Sequence, residues 1–181
     1  LAAGEGKRLQ SDGAKVLHPL AGRPMVEYVM EAVDFTKDKS LLVVGHRKEQ
    51  LVDALGDKAK YVEQRERLGT GHALLCAKEA MKGWQGYVLV LAGDMPLIKG
   101  ESLRALCDRV EAEGSAAGLL TVLKQDPTGY GRVLRDDGGR VVKIVEERDA
   151  SPEAKAVREV NISAYCFSLP ALSRALEELQ R

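Results

Sequence analysis

The chain has 181 residues, the size of a single domain with a substantial hydrophobic core. Lys and Arg together number 27, as do Asp and Glu, so nothing indicates a partner that is a nucleic acid or an acidic membrane. No apolar run approaches the roughly 20 residues that span a bilayer. Three cysteines lie in apolar runs at spacings that match no zinc motif, which indicates reduced core thiols and a cytoplasmic protein: Cys76, Cys107 and Cys166.

The opening stretch, LAAGEGKRLQ, places small residues, two glycines and two cations ahead of any helix. Glycine lets a ligand approach the main chain closely, and successive backbone N–H groups in such a loop form a concave anion site. Lys7, Arg8 and Lys15 add positive charge nearby. The loop predicts a ligand that carries phosphate. The alternative is an ordinary glycine-containing turn with solvated surface cations.

Two common phosphate-binding motifs are excluded in this loop. A dinucleotide fingerprint that begins at Gly4 would need a glycine where Leu9 stands. A P-loop requires Ser or Thr directly after its Gly-Lys pair, whereas Lys7 is followed by Arg8. Neither a dehydrogenase nor a P-loop NTPase is therefore indicated.

Farther along the chain, apolar runs of strand length alternate with helical patterns. Helices are predicted over 24–35, 70–82 and 100–114. Short apolar strands are predicted over 41–45, 60–64 and 86–93. This alternation predicts an α/β fold with a doubly wound, mostly parallel sheet, which presents ligands at the carboxyl ends of its strands.

The pattern changes after a further apolar run at 116–122. Residues 131–147 read as two strands joined by an Asp-Gly turn, which predicts a β-hairpin appended to the sheet. No linker, internal repeat or low-complexity segment divides the chain, so residues 1–181 are predicted to form one domain.

Asp94 directly follows the apolar strand predicted at 86–93. A carboxylate at the end of such a strand can occupy one Mg²⁺ position, the others being filled by phosphate oxygens and water. The alternative is a loop aspartate that caps the next helix. Because Pro96 and Leu97 intervene before that helix, the metal role is favoured.

A series of motifs, in order, resembles a known enzyme family. These motifs are LAAGEGKR (1–8), KVLHPLAGRPM (15–25), LGTGHA (68–73), AGDMPL (92–97), GYGRV (129–133), IVEERDA (144–150) and EVN (159–161). Together they resemble the sugar-nucleotide pyrophosphorylases, and in particular the uridylyltransferase domain of the bifunctional N-acetylglucosamine-1-phosphate uridyltransferase/glucosamine-1-phosphate acetyltransferases. The resemblance runs from Leu1 to about Tyr165.

The resemblance implies a Rossmann-like nucleotidyltransferase fold and a Mg²⁺-dependent reaction. UTP and N-acetylglucosamine 1-phosphate would give UDP-N-acetylglucosamine and pyrophosphate. Arg8 and Lys15 are the catalytic candidates, because positioning and electrostatic stabilisation accomplish most of phosphoryl transfer. Asp94 is the candidate metal ligand, and Lys7 is expected to be a bystander.

Several positions are candidates for binding the nucleotide and the sugar. Gln64 has a donor and an acceptor that suit the edge of uracil, and Gly69 and Thr70 follow it, with Thr70 also expected to cap its helix. His72 is expected to be structural. Glu147 is expected to point away from its neighbour Glu146, by alternation along a strand. The resemblance implies that Gly131, Glu146 and Asn161 contact the sugar. The complete predicted set is Leu1, Ala2, Ala3, Gly4, Lys15, Gln64, Gly69, Thr70, Ala92, Gly93, Asp94, Gly131, Glu146 and Asn161.

The chain departs from the family pattern at Lys7, where Thr is usual, and at Ala14, where Pro is usual. Ile162 and Ser163 replace a usual Thr-Gly beside the sugar site. A relative that uses another sugar phosphate or nucleotide therefore remains an alternative, as does a non-catalytic regulatory subunit. The resemblance further implies a longer gene product, with a few apolar residues before Leu1, a second metal-binding Asn beyond Arg181, and an acetyltransferase domain through which the whole protein forms a homotrimer.

Overall fold

The computed structural model describes residues 1–4, 13–36, 40–45, 47–66 and 68–179. Its helices are α1 (Met25–Ala32), α2 (Lys48–Leu55), α3 (Thr70–Ala77), α4 (Gly100–Ala112), α5 (Pro152–Lys155) and α6 (Leu169–Glu178). Its strands are β1 (Pro19–Leu20), β2 (Arg23–Pro24), β3 (Leu41–Val44), β4 (Lys60–Glu63), β5 (Tyr87–Leu91), β6 (Ala117–Leu123), β7 (Arg132–Arg135), β8 (Val141–Val145) and β9 (Glu159–Ser168).

The opening segment, residues 1–4, lies between β3 and β5. Ala2 forms a parallel bridge with Val44 on one side. On the other side the Leu1 nitrogen donates to Leu91 O at 2.7 Å, and the Gly93 nitrogen donates to Leu1 O at 2.8 Å. One residue thus bonds to two residues of the neighbouring segment that are two positions apart, which is the pattern of a parallel pair. Since β3 and β4 are also parallel, the order across this half is β4, β3, opening segment, β5.

With the opening segment counted as the first strand, this order matches the first half of a doubly wound sheet. In such a sheet the strand order reverses at the first strand, because the second and third strands lie on one side of it and the fourth lies on the other. The crevice at that reversal is where such folds bind ligands. The opening segment and the residues after β5 flank it. The predicted α/β class is thus confirmed.

The other half of the sheet is antiparallel and centres on β9. This strand pairs with β5, β6 and β7, all antiparallel. The predicted hairpin is present as β7 and β8, with Gly139 at φ 77° in the turn. The sheet is therefore mixed. β9 was not evident in the sequence, because polar and small residues interrupt its apolar residues and it therefore lacks the continuous apolar run used to predict the other strands.

The helices bury apolar faces against this sheet. On α4, Leu103, Leu106 and Val110 are all buried, as their spacing predicts. Two helices are shorter than their patterns: α1 begins after Pro24, and α3 ends at Ala77 and is followed by a short 3₁₀ turn (Glu79–Met81). All three cysteines are free, with Cys166 fully buried and the other two partly buried.

Among the residues that the structure describes, no helix is both long and apolar enough to cross a membrane.

Candidate active site

The opening segment reaches the crevice because two glycines leave room for it. A Cβ on Gly93 would lie 3.1 Å from Leu1 O and 3.2 Å from Val16 Cγ1. A Cβ on Gly45, directly after β3, would lie 3.1 Å from Ala3 O. Ala92 and Gly93 were predicted for this edge. Gly45 was not, although its place at the end of an apolar strand was a usable signal.

Lys15 and Asp94 come together at this crevice. The Lys15 ammonium donates a hydrogen bond to Asp94 Oδ2, and the two side chains are 34% and 29% exposed. Asp94 lies just past β5, and Lys15 begins a short 3₁₀ turn (Lys15–Leu17) that the buried Val16 anchors. The two predicted charged residues form one partly exposed ion pair, and both remain accessible to a ligand.

Helix α2 holds the backbone that leads into Lys15. The Ala14 nitrogen donates to Gln50 Oε1 at 2.9 Å. The Arg47 guanidinium donates to Gly13 O. Gln50 lies on α2 and Arg47 directly precedes that helix, both more than thirty residues along the chain from their partners, and a polar residue at such a position offers no sequence signal for this role. These two supporting residues were therefore missed.

Gln64 forms a second cluster with α3. It directly follows β4, is 4% exposed, and its backbone nitrogen donates to Val44 O at 2.8 Å. Its side-chain Nε2 donates to Gly69 O at 3.1 Å and lies 3.1 Å from His72 Nδ1. The structure thus brings Gln64 into contact with Gly69, and both belong to the predicted set. The buried amide is fixed in place by the start of a helix.

Thr70 has a different local role from the one expected. The residue that caps α3 is Gly69, at φ 95°, and Thr70 is the first residue inside the helix. A left-handed backbone is easily adopted by glycine, so the chain turns into the helix at Gly69 and no Thr70 side-chain cap forms. The expectation that Thr70 caps the helix was wrong.

Gly131, Glu146 and Asn161 form a third cluster, at the base of the hairpin. The Asn161 nitrogen donates to Gly131 O at 2.9 Å, and a Cβ on Gly131 would lie 3.3 Å from Glu146 Oε1. Glu146 is exposed, whereas Asn161 is 8% exposed. The structure therefore brings together all three residues predicted for the sugar.

The Asn161 side chain is already engaged within the protein. Its Nδ2 donates to the Tyr165 hydroxyl at 2.6 Å, and its Oδ1 accepts from the Ser163 nitrogen at 3.1 Å. Ser163 has φ 59°, the left-handed region that side chains disfavour, and its carbonyl accepts from the Ala92 nitrogen at 3.2 Å. This strained residue therefore connects the third cluster to the loop of Asp94, over roughly 7 Å of strand.

Glu147 has a structural role that the strand alternation did not predict. β8 ends at Val145, and Glu147 begins a 3₁₀ turn, so side-chain alternation does not apply there. Its Oε2 accepts from the Gly129 nitrogen at 3.1 Å and from Arg132 Nη2 at 2.7 Å. Hydrogen bonding to Arg132, followed by that to Gly129, holds the pKa of this carboxyl below its usual value.

Arg132 anchors the same loop from beneath. It is 1% exposed, and its Nη1 donates to Tyr130 O. Its Nε is buried and has no hydrogen-bond partner among the described residues. A buried guanidinium needs a counter-charge, and Glu147 supplies it. The Arg132–Glu147 pair thus fixes the loop that carries Gly131.

Arg8 and Lys7 lie outside the described residues, so their predicted roles remain predictions. Of the other predicted positions, Leu1, Ala2, Ala3 and Gly4 form the opening segment, with Gly4 exposed at its end. Within the described part of the chain, no group of three or more His, Cys, Asp or Glu side chains could hold a metal ion. Any metal at Asp94 would need ligands from elsewhere.

Fold and crevice together have the form of a nucleotidyltransferase. The chain belongs to the MobA-like NTP transferase domain family, whose profile matches residues 1–159. It is 46% identical over 181 residues to "Bifunctional protein GlmU" of Shouchella clausii, and 46% identical over 180 residues to the protein of that name in Caldanaerobacter subterraneus subsp. tengcongensis. The alignments cover 99% of this chain and 40% and 39% of those proteins.

Solved structures agree on the fold. An apo UDP-glucose pyrophosphorylase matches with a TM-score of 0.74 at 18% identity, over 98% of this chain and 77% of that one. The UDP-glucose complex of a UDP-glucose pyrophosphorylase matches with a TM-score of 0.69 at 19% identity, over 98% and 77%. The chain itself spans about 40% of the length of the curated relatives. The family resemblance and the nucleotidyltransferase class predicted from the motifs are confirmed.

Proposed function

We propose that this chain transfers a uridylyl group from UTP to N-acetylglucosamine 1-phosphate, forming UDP-N-acetylglucosamine and pyrophosphate. The observation that carries the proposal is the Lys15–Asp94 pair at the crevice between the opening segment and β5. The cluster of Gln64 lies on one side of this pair and the cluster of Gly131, Glu146 and Asn161 on the other. This order of clusters supports the proposal, because a base, phosphates and a sugar would follow one another in the same order along the bound substrates.

The base would bind beside Gln64. Two parallel strand spacings, roughly 10 Å, separate the end of β4 from the opening segment, a distance comparable to that between a nucleobase and its phosphates. Gln64 is buried and fixed, so a hydrogen bond between its amide and a base edge would discriminate between bases. Gly69, with no side chain, leaves the backbone open beside it.

The phosphates would lie at the crevice, against the opening segment and Lys15. An ammonium that is only partly exposed can stabilise charge on the α- and β-phosphates without first shedding a full hydration shell. Arg8, four residues past the segment's end, would add a second cation. The phosphate oxygen of the sugar substrate attacks the α-phosphorus, the bond to the β-phosphate oxygen breaks, and pyrophosphate leaves.

Asp94 fits a magnesium ion that arrives with the nucleotide. Mg²⁺ commonly uses one or two protein carboxylates and completes its shell with phosphate oxygens and water. A lone carboxylate at the end of β5, partly exposed, matches that requirement. When bound, the ion neutralises charge that develops on the phosphates during transfer. Asp94 would exchange part of its contact with Lys15 for the metal, which frees the Lys15 ammonium for phosphate.

The sugar phosphate would bind at the third cluster. Glu146 is exposed and offers carboxylate oxygens to sugar hydroxyls, while Gly131 leaves its backbone open. Asn161, whose side chain is engaged with Tyr165 and Ser163, would position the strand around the acetamido group. Because Ser163 replaces the usual glycine here, a related sugar 1-phosphate is the second candidate substrate.

The proposal is tested by incubating the protein with Mg²⁺, UTP and N-acetylglucosamine 1-phosphate. We expect pyrophosphate and UDP-N-acetylglucosamine to appear in equal amounts, measured by a coupled pyrophosphate assay and by chromatography. A panel of glucose, galactose, glucosamine and N-acetylgalactosamine 1-phosphates tests the second candidate. The proposal is wrong if the folded protein releases no pyrophosphate, which would instead favour a non-catalytic subunit.

A further inference from the structure

We propose that His72 is a positioning residue that orients the Gln64 amide and thereby sets the preference for uracil over cytosine. This inference rests on the proposed function, because it concerns the base of the nucleotide substrate. The observation behind it is that one nitrogen, Gln64 Nε2, lies 3.1 Å from both Gly69 O and His72 Nδ1.

The Gly69 carbonyl determines which end of the amide faces the helix. A carbonyl oxygen only accepts hydrogen bonds, so the NH₂ group of Gln64 faces Gly69 and its oxygen faces away. The same NH₂ group lies against His72 Nδ1. That ring nitrogen must therefore accept, which places the imidazole proton on Nε2 in the neutral tautomer.

Both partners are held on rigid elements. Gln64 is anchored by its backbone bond to Val44 O and is 4% exposed. His72 lies in the first turn of α3, and the sulfur of Cys76, one turn farther on, lies 4.0 Å from Nδ1 and 3.9 Å from Nε2. The thiol therefore lies against the imidazole ring and limits its rotation. The ring nitrogen stays at a fixed position opposite the amide.

The consequence is that Gln64 presents its carbonyl oxygen to the base. Uracil has a donor at N3–H, which this oxygen can accept. Cytosine has an acceptor at N3, so the two lone pairs would face each other, and a buried unmatched pair of this kind is costly. Without His72, one of the two bonds that fix the amide is lost, and a rotated amide could match cytosine.

The test compares His72→Leu, which removes the acceptor, with His72→Asn, whose side-chain oxygen can occupy the position of Nδ1. We measure kcat/KM for UTP and for CTP with the same sugar phosphate. His72→Leu should lower the UTP-to-CTP ratio about tenfold, as expected for loss of one buried hydrogen bond. His72→Asn should restore the ratio to within about twofold of the original protein.

Controls separate this effect from general damage. His72→Ala is measured beside His72→Leu, so that if one variant fails to fold, the other still tests the loss of the imidazole. His18→Leu, a substitution of an exposed histidine, should leave the ratio unchanged. Dissociation constants for UTP–Mg²⁺ and CTP–Mg²⁺ from equilibrium titration provide a readout that does not depend on turnover.

The outcomes are distinguishable. If the original protein prefers UTP and the ratio stays the same in folded His72→Leu and His72→Ala, the inference is wrong and the proposed function stands. If His72→Asn loses the preference as fully as His72→Leu does, the ring acts only by packing and the inference is also wrong. If the original protein does not use UTP, the proposed function itself fails.

Discussion

At the scale of single residues, the pairing of Lys15 with Asp94 places two opposite charges in contact at the crevice, in a chain of zero net charge. Each charge is neutralised by the other until a ligand offers both an anion and a cation. A nucleotide that carries a magnesium ion offers both at once. Under the proposed function, we therefore expect the pair to favour the metal-bound nucleotide over either component alone.

Replacing Asp94 by Asn should lower turnover by orders of magnitude, because the metal loses its protein carboxylate and Lys15 loses its partner. The fold should persist, since partly exposed ion pairs contribute about 1 kcal/mol or less to stability. The rate is measured against Mg²⁺ concentration for both proteins, with Asp57→Asn, on a distant exposed turn, as the control. Equal rates in the two proteins would remove Asp94 from the site.

Ser163 is a second residue whose backbone decides its effect. A non-glycine residue at φ 59° costs roughly 1–2 kcal/mol relative to the right-handed region. Ser163→Gly should therefore raise the free energy of unfolding by up to about 1 kcal/mol, after the greater entropy of glycine in the unfolded chain is subtracted. Urea denaturation measures this change. Ser163→Ala keeps the strain and should gain nothing; a similar gain in that variant would contradict the backbone explanation.

At the scale of elements, α4 and β6 show how closely a helix can approach a strand. Gly118 in β6 lies beneath α4, where a Cβ would overlap the Val110 side chain and lie 3.1 Å from Leu106 Cδ1. Both neighbours are buried. The glycine is required by packing here, since its φ is not among the left-handed values.

Gly118→Ala should lower the free energy of unfolding by about 1–3 kcal/mol, the usual cost of overpacking a core. The matched control is Gly71→Ala in α3, where the added Cβ meets only the end of the Leu179 side chain, at 3.0 Å. That substitution should be neutral or stabilising, because alanine favours a helix. Thermal unfolding of both variants is the measurement, and equal effects would argue against close α4–β6 packing.

The turn after β8 carries a carboxylate, that of Glu147, which holds the neighbouring loop in place. Glu147→Ala should reduce stability and raise the KM for the sugar phosphate, because Arg132 loses its counter-charge and the Gly129 nitrogen loses its acceptor. Glu146→Ala should raise the same KM with little loss of stability, since Glu146 is exposed. Melting temperatures and steady-state kinetics of both variants test the difference. If Glu147→Ala melts like the original protein, the Arg132–Glu147 pair does not hold the loop.

At the scale of the whole molecule, a set of carboxyl groups makes folding depend on pH. Hydrogen bonds and ion pairs hold their pKa values below the ordinary values of 3.8 for Asp and 4.5 for Glu. For Glu159 the main cause is its hydrogen bond with Arg135. The groups are Glu27, Asp126, Asp136, Glu147, Glu153 and Glu159.

Stability should therefore be lost in acid. The unfolded chain binds protons more readily than the folded one, so the contribution is complete above about pH 4.5 and declines as the pH falls through the lowered folded pKa values. Urea midpoints at pH 7, 5, 4 and 3 measure this, and Glu159→Gln should flatten the decline. A midpoint that is constant down to pH 3 would show that these contacts do not form in solution.

The sequence by itself determined the local features of this protein. Helix α4, the apolar strands β3 and β5, and the β7–β8 hairpin follow from spacing and turn residues that lie close together along the chain. Lys15 and Asp94 could be selected because one lies in a glycine-rich cationic stretch and the other follows an apolar strand. Gln64, Glu146 and Asn161 were selected because their motifs resemble those of a known family. Periodicity and turn chemistry depend only on near neighbours, so one sequence is enough to read them.

Only the tertiary structure decided how these parts meet. The antiparallel pairing of β9, the support of Ala14 by Gln50, and the contact of His72 with Gln64 join segments that their patterns do not connect. Glu147 was expected to point away from Glu146 by alternation along a strand, but β8 ends at Val145 and Glu147 begins a 3₁₀ turn, where that alternation does not apply. Long-range packing chooses among side-chain arrangements that are equally compatible with the local sequence, and the contacts that orient this crevice arise from that choice.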